Sequence, residues 1–236
     1  FTAEPGQTTA FIGSTGSGKS TLINLIPRFY DVSAGQILID DIDIREVSSN
    51  ELMSRIGYIP QKGVLFSGTI TSNIAYGNPK ASSKQIEEAA KIAQAAEFIN
   101  ELDKKYSSNV SQGGKNVSGG QRQRLSIARA LATDAKIYIF DDSFSALDFK
   151  TDARLRQALT KKTKNKTVLI VAQRINTIMN ADKIIVLNEG KIVGQGTHAE
   201  LMRSCSIYRE IASSQLSDEE LSDLEKAPSK KQKRAK

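Results

Sequence analysis

Cysteine occurs once in the 236 residues, at Cys205, so no internal disulfide can form. A lone thiol suits a reducing compartment, and Cys205 is read as a bystander. Histidine also occurs once. His198 follows the last apolar run in a short polar turn, and it reads as a surface residue rather than a catalyst. No apolar run approaches the roughly 18–20 residues that cross a bilayer. No heptad pattern is sustained, which argues against a long coiled coil. Basic charge is scarcer in the body of the chain than the formal net +7 implies. Lys230, Lys231, Lys233, Arg234 and Lys236 carry most of that excess. From about Gln215 the chain has acids (Asp218, Glu219, Glu220) and then lysines, with little apolar content. That tail, 215–236, reads as disordered and solvated, with no nucleic-acid contact expected. The start, Phe1-Thr2-Ala3-Glu4-Pro5-Gly6, runs straight into an apolar strand. The chain is therefore expected to be the C-terminal part of a longer protein. Its length can bury one good core with an inserted subdomain.

The organising stretch is Gly13-Ser14-Thr15-Gly16-Ser17-Gly18-Lys19-Ser20. It fits the phosphate-binding loop, and its flanks supply the required context. Thr8-Thr9-Ala10-Phe11-Ile12 reads as a short buried strand, and Thr21 to Ile26 as the first turns of a helix. The glycines let several backbone N–H groups point inward, and the helix start adds partial positive charge. Lys19 reaches the β- and γ-phosphates in this motif, and the Ser20 hydroxyl ligates Mg²⁺. The candidate nucleotide contacts run from Gly13 through Thr21.

Strands and helices then alternate. Gln36 to Asp40 alternates apolar and polar, as a half-buried strand does, and Ser48 to Arg55 is a short helix. Ile56 to Ile59 is a strand stopped by Pro60, with Gln61 just beyond. From about Ser83 to Leu102 the apolar residues repeat at helical spacing. Val117-Ser118-Gly119-Gly120-Gln121 opens another helix. Lys136 to Phe140 is an apolar strand ending in Asp141 and Asp142. Thr151 to Lys162 is an amphipathic helix, and Thr167 to Ala172 a buried strand ending at Gln173. Strands Lys183–Leu187 and Lys191–Gln195 flank the Asn188-Glu189-Gly190 turn, and two short helices follow. The fold class is α/β, with the nucleotide at the carboxyl ends of the strands.

Two further features sharpen the chemistry. An aspartate at the end of an apolar strand, here Asp141, can hold Mg²⁺, generally through water. Ser118 stands at a helix start beside Gly119 and Gly120, whose backbone N–H groups are exposed, which makes a second anion site. Two phosphate-reading surfaces about a hundred residues apart are economically explained by nucleotide shared with another subunit.

Over nearly its whole length the chain resembles the nucleotide-binding domains of ABC transporters. The matching pieces occur in order: the Walker A loop Gly13 to Ser20, the Q-loop glutamine Gln61, the signature Val117 to Gln121, the Walker B strand through Asp141, and the D-loop Ser145-Ala146-Leu147-Asp148. Leu65-Phe66-Ser67-Gly68-Thr69-Ile70 looks like exporters in particular. The resemblance implies a P-loop core, a RecA-like sheet with a β subdomain, over residues 1–214. It implies an inserted helical subdomain at about 62–130. It also implies ATP and Mg²⁺ as cofactors, with Ser20, Gln61 and Asp141 around the metal. A head-to-tail dimer would set Ser118, Gly119, Gly120 and Gln121 against the partner's ATP. A membrane domain earlier in the same chain would carry an exported small molecule, with this domain on the cytoplasmic face of the cell membrane. An adenine-stacking aromatic would lie upstream of Phe1.

The chain departs from the family at two positions. The family usually has glutamate after the Walker B aspartate, as general base; Asp142 stands there, one methylene, roughly 1.5 Å, shorter. The family's switch histidine is replaced by Gln173, which offers a neutral hydrogen bond and cannot become cationic near neutral pH. Asp142, Gln173 and Gln61 are the candidate catalytic set. A site that holds ATP and hydrolyses it slowly is expected, beside an unlike partner that brings its own glutamate and histidine. The alternatives are an ordinary symmetric transport ATPase, a soluble DNA-associated ATPase of the same superfamily, and a regulatory ATP-binding module with no transport role.

Overall fold

The computed structural model describes residues 1–216. The strands are β1 (Thr8–Ile12), β2 (Leu38–Ile39), β3 (Ile42–Asp43), β4 (Ile56–Ile59), β5 (Gly68–Thr69), β6 (Asn109–Val110), β7 (Ile137–Asp141), β8 (Thr167–Val171), β9 (Lys183–Asn188) and β10 (Lys191–Gly196). The helices are α1 (Lys19–Asn24), α2 (Ser49–Arg55), α3 (Ile70–Ala75), α4 (Ser83–Ile92), α5 (Ala96–Glu101), α6 (Gly119–Ala132), α7 (Phe149–Lys162), α8 (Ile175–Ile178), α9 (His198–Ser204) and α10 (Ser206–Ser213).

Six strands form one sheet in the order β10-β9-β1-β8-β7-β4, parallel except for the β9–β10 hairpin. The strand before the glycine loop is therefore interior, with β8 on one side and β9 on the other. Such strands read as apolar runs because both faces are covered. The two-residue alternation survives beneath that burial. Phe11, Ile139, Leu169, Val171 and Ile185 pack toward Ile23 and Leu52 of α1 and α2. Ala10, Ile12, Ile184 and Val186 face the opposite layer of α8, α9 and α10.

Between β4 and β7 the chain leaves the sheet and builds a helical layer. Ile70, Ile74, Ile86, Ala89, Ala90, Phe98, Leu125 and Leu131 share one core with Tyr138 and Phe140 of β7. The helix starts follow from their caps. Ser48, Thr69, Ser82, Ser118, Asp148 and Thr197 each accept a backbone N–H three residues on, worth about 1 kcal/mol apiece. The long period between Ser83 and Leu102 is two helices, α4 and α5, rather than one. Gln94 takes a left-handed φ of 57°, which sets the fully buried Ala93 and Ala95 into the core. Arg124 secures the break, donating to the Gln94 carbonyl at 2.9 Å with its guanidinium 4.9 Å from the Phe98 ring. The half-buried strand expected from Gln36 to Asp40 shrinks to two paired residues, because Asp40 and Asp41 turn at positive φ into β3.

His198 is not a surface residue. It is only 6% exposed, its Nδ1 lies 2.7 Å from the Tyr208 hydroxyl, and its buried Nε2 has no hydrogen-bond partner among the described residues. The polar turn that suggested exposure is the Thr197 cap, and His198 is the first residue inside α9, where α10 covers it. Burial pushes its pKa below the ordinary value. The folded state therefore prefers the neutral ring, while the unfolded chain takes up a proton near about pH 6.5. This contribution to stability is complete above that pH and is lost as pH falls below it. Thermal melts from pH 8 to 5.5 should show a smaller acid loss for His198→Gln than for the parent. Equal slopes would assign the acid sensitivity to other groups.

Packing also continues past Ser214. Gln215 accepts from the Ile175 N–H at 2.9 Å and donates to the Gln173 carbonyl at 2.8 Å, and Leu216 is buried among Ala172, Ile175 and Tyr208. Gln215 and Leu216, expected as the first residues of the tail, are thus packed against the domain; the remainder of the tail lies outside the described residues.

Candidate functional site

The carboxyl ends of β1, β7 and β8 bring the principal groups together. Ser14, Thr15, Gly16, Ser20 and Thr21 are exposed, while Ser17 and Lys19 are buried. Gly13 is fixed by a close approach: a side chain there would meet the Leu187 carbonyl oxygen at 2.1 Å. Gly18 precedes α1 at a φ of 94°, in the left-handed region where a glycine is least strained. The Lys19 ammonium folds over the loop, donating to the carbonyls of Gly13 at 2.8 Å and Ser14 at 2.7 Å and lying 3.3 Å from Ser17 Oγ. Burial lowers its pKa, and the nearby Asp142 and Asp141 charges pull the other way.

Register places the acids opposite this loop. Asp141 ends β7 beside Val171 of β8, and β8 pairs with β1. Ser20 donates its hydroxyl to Asp141 Oδ1 at 3.0 Å across 121 residues of sequence. Tyr58 of β4 lies 2.9 Å from Asn24 Oδ1 and 3.3 Å from Asp141 Oδ2. Burial and the Asp141 carboxylate together push the Tyr58 phenol well up, so it stays a protonated donor. Sequence reading missed Tyr58, because it looked like one more residue of an apolar strand. Its signal was a polar-tipped aromatic three residues before Gln61.

Asp142 is the junction of the site. It is 9% exposed, adopts φ 44°, and its N–H donates to Val171 O at 2.9 Å. Its Oδ2 accepts from Gln61 Nε2 at 3.1 Å and from Gln173 Nε2 at 3.0 Å. Burial raises its pKa and the Asp141 charge adds to that, while the bonds from Gln61 and Gln173 and the charge of Arg174 oppose the rise. The three residues of the candidate catalytic set thus meet at one oxygen. Gln61 spends its amide on Asp142; no hydrogen bond among the described residues joins it to Ser20 or Asp141.

Ser118, Gly119, Gly120 and Gln121 stand apart from this cluster, at the start of α6. Ser118 Oγ accepts from the Gln121 N–H at 3.2 Å, and Gln121 Oε1 accepts from the Ser118 N–H at 2.9 Å. Beyond its own helix, nothing among the described residues lies within 4 Å of where a Gly119 side chain would sit. No hydrogen bond among the described residues joins this segment to the glycine loop. Helix α6 is instead tied to the backbone around Gln61. Gln123 of α6, 2% exposed, accepts from the Gly63 N–H at 2.8 Å and donates to the Pro60 carbonyl at 3.1 Å. It grips the backbone on both sides of Gln61. Sequence reading did not single it out, since a glutamine inside a helix gives no pattern.

The exporter-like stretch is held from within. Asn73, 1% exposed, accepts from the Phe66 N–H and donates to the carbonyls of Phe66 and Thr69. Arg129 donates to Asn73 and to the Val64 carbonyl, with its guanidinium 5.0 Å from the Phe66 ring.

The donor chemistry fits a magnesium nucleotide. The loop offers exposed backbone and a lysine, and Ser20 with Asp141 offers two hard oxygen donors side by side.

The comparisons agree with this geometry. The family description "ABC transporter" matches residues 1–145. A Mycobacterium tuberculosis protein named an uncharacterized ABC transporter ATP-binding protein is 49% identical over 218 residues, covering 91% of this chain and 37% of the relative. A Staphylococcus aureus relative, named "Putative multidrug export ATP-binding/permease protein", is 47% identical over 212 residues, 90% of this chain and 37% of its own length. A solved bacterial Atm1-family ABC exporter with ATP bound superimposes with a TM-score of 0.89 at 38% identity, over 92% of this chain and 38% of that one. This chain therefore spans little more than a third of the length of these relatives. The match in fold, in sequence and in the order of its motifs makes the chain a member of the ABC transporter family, as a nucleotide-binding domain.

Proposed function

We propose that this domain is the ATP-binding engine of an ABC exporter, with a weakly hydrolytic site of its own and a signature that completes a partner's site. One observation carries the reading: Asp142 and Gln173 stand where the family resemblance implies glutamate and histidine, and the Gln173 amide is bonded to Asp142 itself. Both Gln173 and Gln61 occupy Oδ2, leaving Oδ1 as the oxygen that can accept from a water. Burial raises the basicity of Asp142, which favours proton abstraction, but its shorter stem sets the carboxylate back from the phosphate. A general base acts only within hydrogen-bond reach of its water, so reach outweighs basicity.

The binding residues have no such defect. Lys19 and the loop N–H groups from Ser14 to Ser20 would hold the phosphates, and Ser20 and Asp141 would hold Mg²⁺. When bound, Mg²⁺ neutralises charge on the phosphate oxygens. Tyr58 keeps Asp141 oriented, and Gln173 offers one neutral hydrogen bond. The ATP would be sandwiched by the signature of a second ABC subunit, favoured as an unlike chain carrying its own glutamate and histidine. Two copies of this chain would give two weak sites. A membrane domain in the same longer protein would carry an exported small molecule, with this domain at the cytoplasmic face; the Staphylococcus aureus relative named for multidrug export and the Atm1-family exporter support that reading.

The experiment acts on the signature. Ser118→Ala in the full-length complex should lower steady-state ATP turnover by about tenfold or more, because it removes a donor aimed at the partner's phosphate. ATP binding at the Lys19 site should persist. Unchanged turnover would overturn the shared-site reading.

A further inference from the structure

We infer that Gln215 is a positioning residue for the switch loop, a clamp by which the end of α10 fixes how Gln173 meets Asp142. The inference rests on the role given to Gln173 above and adds a residue to it.

The geometry is reciprocal. Gln215 Oε1 accepts from the Ile175 N–H at 2.9 Å, and Gln215 Nε2 donates to the Gln173 carbonyl at 2.8 Å. One planar amide therefore holds the backbone on both sides of Arg174, forty residues away in sequence. Beyond Ile175 the loop is also held by Arg156, which donates to the Asn176 carbonyl at 3.1 Å, and by the Thr177 N–H, which donates to the Arg174 carbonyl at 3.1 Å; Gln215 adds the bonds at Gln173 and Ile175. Arg174 takes extended φ and ψ and makes no side-chain cap to α8, a helix of four residues. Without Gln215, the Ile175 N–H at the head of that helix would lose its acceptor. Gln173 itself is exposed, and its side chain reaches Asp142 Oδ2 at 3.0 Å. A side chain on an exposed loop holds such a distance only if its backbone is fixed, and Gln215 contributes that fixation at the Gln173 carbonyl itself. Leu216 anchors the clamp by burial among Ala172, Ile175, Ile178 and Tyr208. Gln215 and Leu216 are thereby coupled, through two hydrogen bonds and the Gln173 side chain, to the Asp142 carboxylate.

An amide is required at this position. It must accept at one atom and donate at the other. Glutamate would keep the acceptor for Ile175 and place a second oxygen against the Gln173 carbonyl. Alanine would lose both bonds.

The test uses the full-length protein with its co-purifying partner. Hydrogen exchange is followed in nucleotide-free samples of the parent, Gln215→Ala and Gln215→Glu. In Gln215→Ala the segment 173–178 should exchange about three- to tenfold faster, the equivalent of one lost hydrogen bond, while segment 13–20 is unchanged. In Gln215→Glu the Ile175 amide should stay protected. The slow hydrolysis of ATP retained at this site is then measured in single turnover. Gln215→Ala should slow it about three- to tenfold without changing ATP affinity, through misplacement of Gln173. The same change in a Gln173→Ala background should have no further effect. Unchanged exchange at 173–178 would overturn the clamp, and so would a rate loss that persists after Gln173→Ala, since that is a general structural effect. If Gln173→Ala alone left the slow rate unaltered, the role of Gln173 would fail, and the exchange result would still decide whether Gln215 holds the loop.

Discussion

The double variant Asp142→Glu with Gln173→His should hydrolyse the ATP held at this site about 10² to 10⁴ times faster than the parent, the range that a general base contributes. The expectation comes from two distances and two chemistries. Asp142 is already at the right strand end, buried, and joined to Gln61 and Gln173 at 3.1 and 3.0 Å. One added methylene moves the carboxylate forward by roughly 1.5 Å. Histidine in place of Gln173 restores a group that can carry a proton near neutral pH. The backbone opposes part of the gain. Asp142 sits at φ 44°, a region that aspartate tolerates better than longer side chains. Asp142→Glu alone should therefore give less than the pair. Single-turnover hydrolysis with radiolabelled ATP measures both. No acceleration in the double variant would place the rate limit outside these two residues.

Lys19→Ala should weaken ATP binding at this site by roughly ten- to a hundredfold, because a charged hydrogen bond is worth about 1.5–3 kcal/mol. Lys19 is 8% exposed and makes three contacts within its own loop, to Gly13, Ser14 and Ser17. An incoming phosphate competes for an ammonium that is already close by, so little reorganisation is needed. Binding of a fluorescent ATP analogue to the intact complex reads the effect. Under the asymmetric account, Lys19→Ala removes one of two bound nucleotides and leaves the partner's nucleotide in place. Loss of both would show that the partner's site cannot hold ATP unless this one is filled.

Much of this site was legible in the sequence because its signals are local. The glycine loop, the strand ending in Asp141 and Asp142, and the Ser118 cap each fit within about eight residues, and the structure forms them as a turn into α1, the end of β7 and the cap of α6. The family pattern groups Gln61, Asp142 and Gln173 as a catalytic set, but their convergence on one oxygen is seen only in the structure, and no spacing in the chain predicts it. The less legible residues act across the fold. Tyr58 reaches Asp141 across β4–β7 pairing, Gln123 grips Pro60 and Gly63, and Gln215 grips Gln173. Each is a single polar side chain satisfying distant backbone or carboxylate, and no periodicity marks it. His198 was misplaced for a related reason. A polar turn looks exposed in sequence, whereas here it is a helix cap with its first residue turned into the core. The break at Gln94 was hidden because alanine-rich sequence continues the helical period through it.

The central claim is that this site retains ATP while a partner's site hydrolyses it. The direct measurement is a single-turnover count on the full-length complex with its co-purifying partner. Both sites are loaded with ATP and Mg²⁺, and the fraction hydrolysed promptly is determined. The account predicts that half is hydrolysed promptly and half is retained, with the retained nucleotide lost on Lys19→Ala. Prompt hydrolysis of both would contradict it, and would make Asp142 and Gln173 a sufficient catalytic pair in an ordinary symmetric transport ATPase.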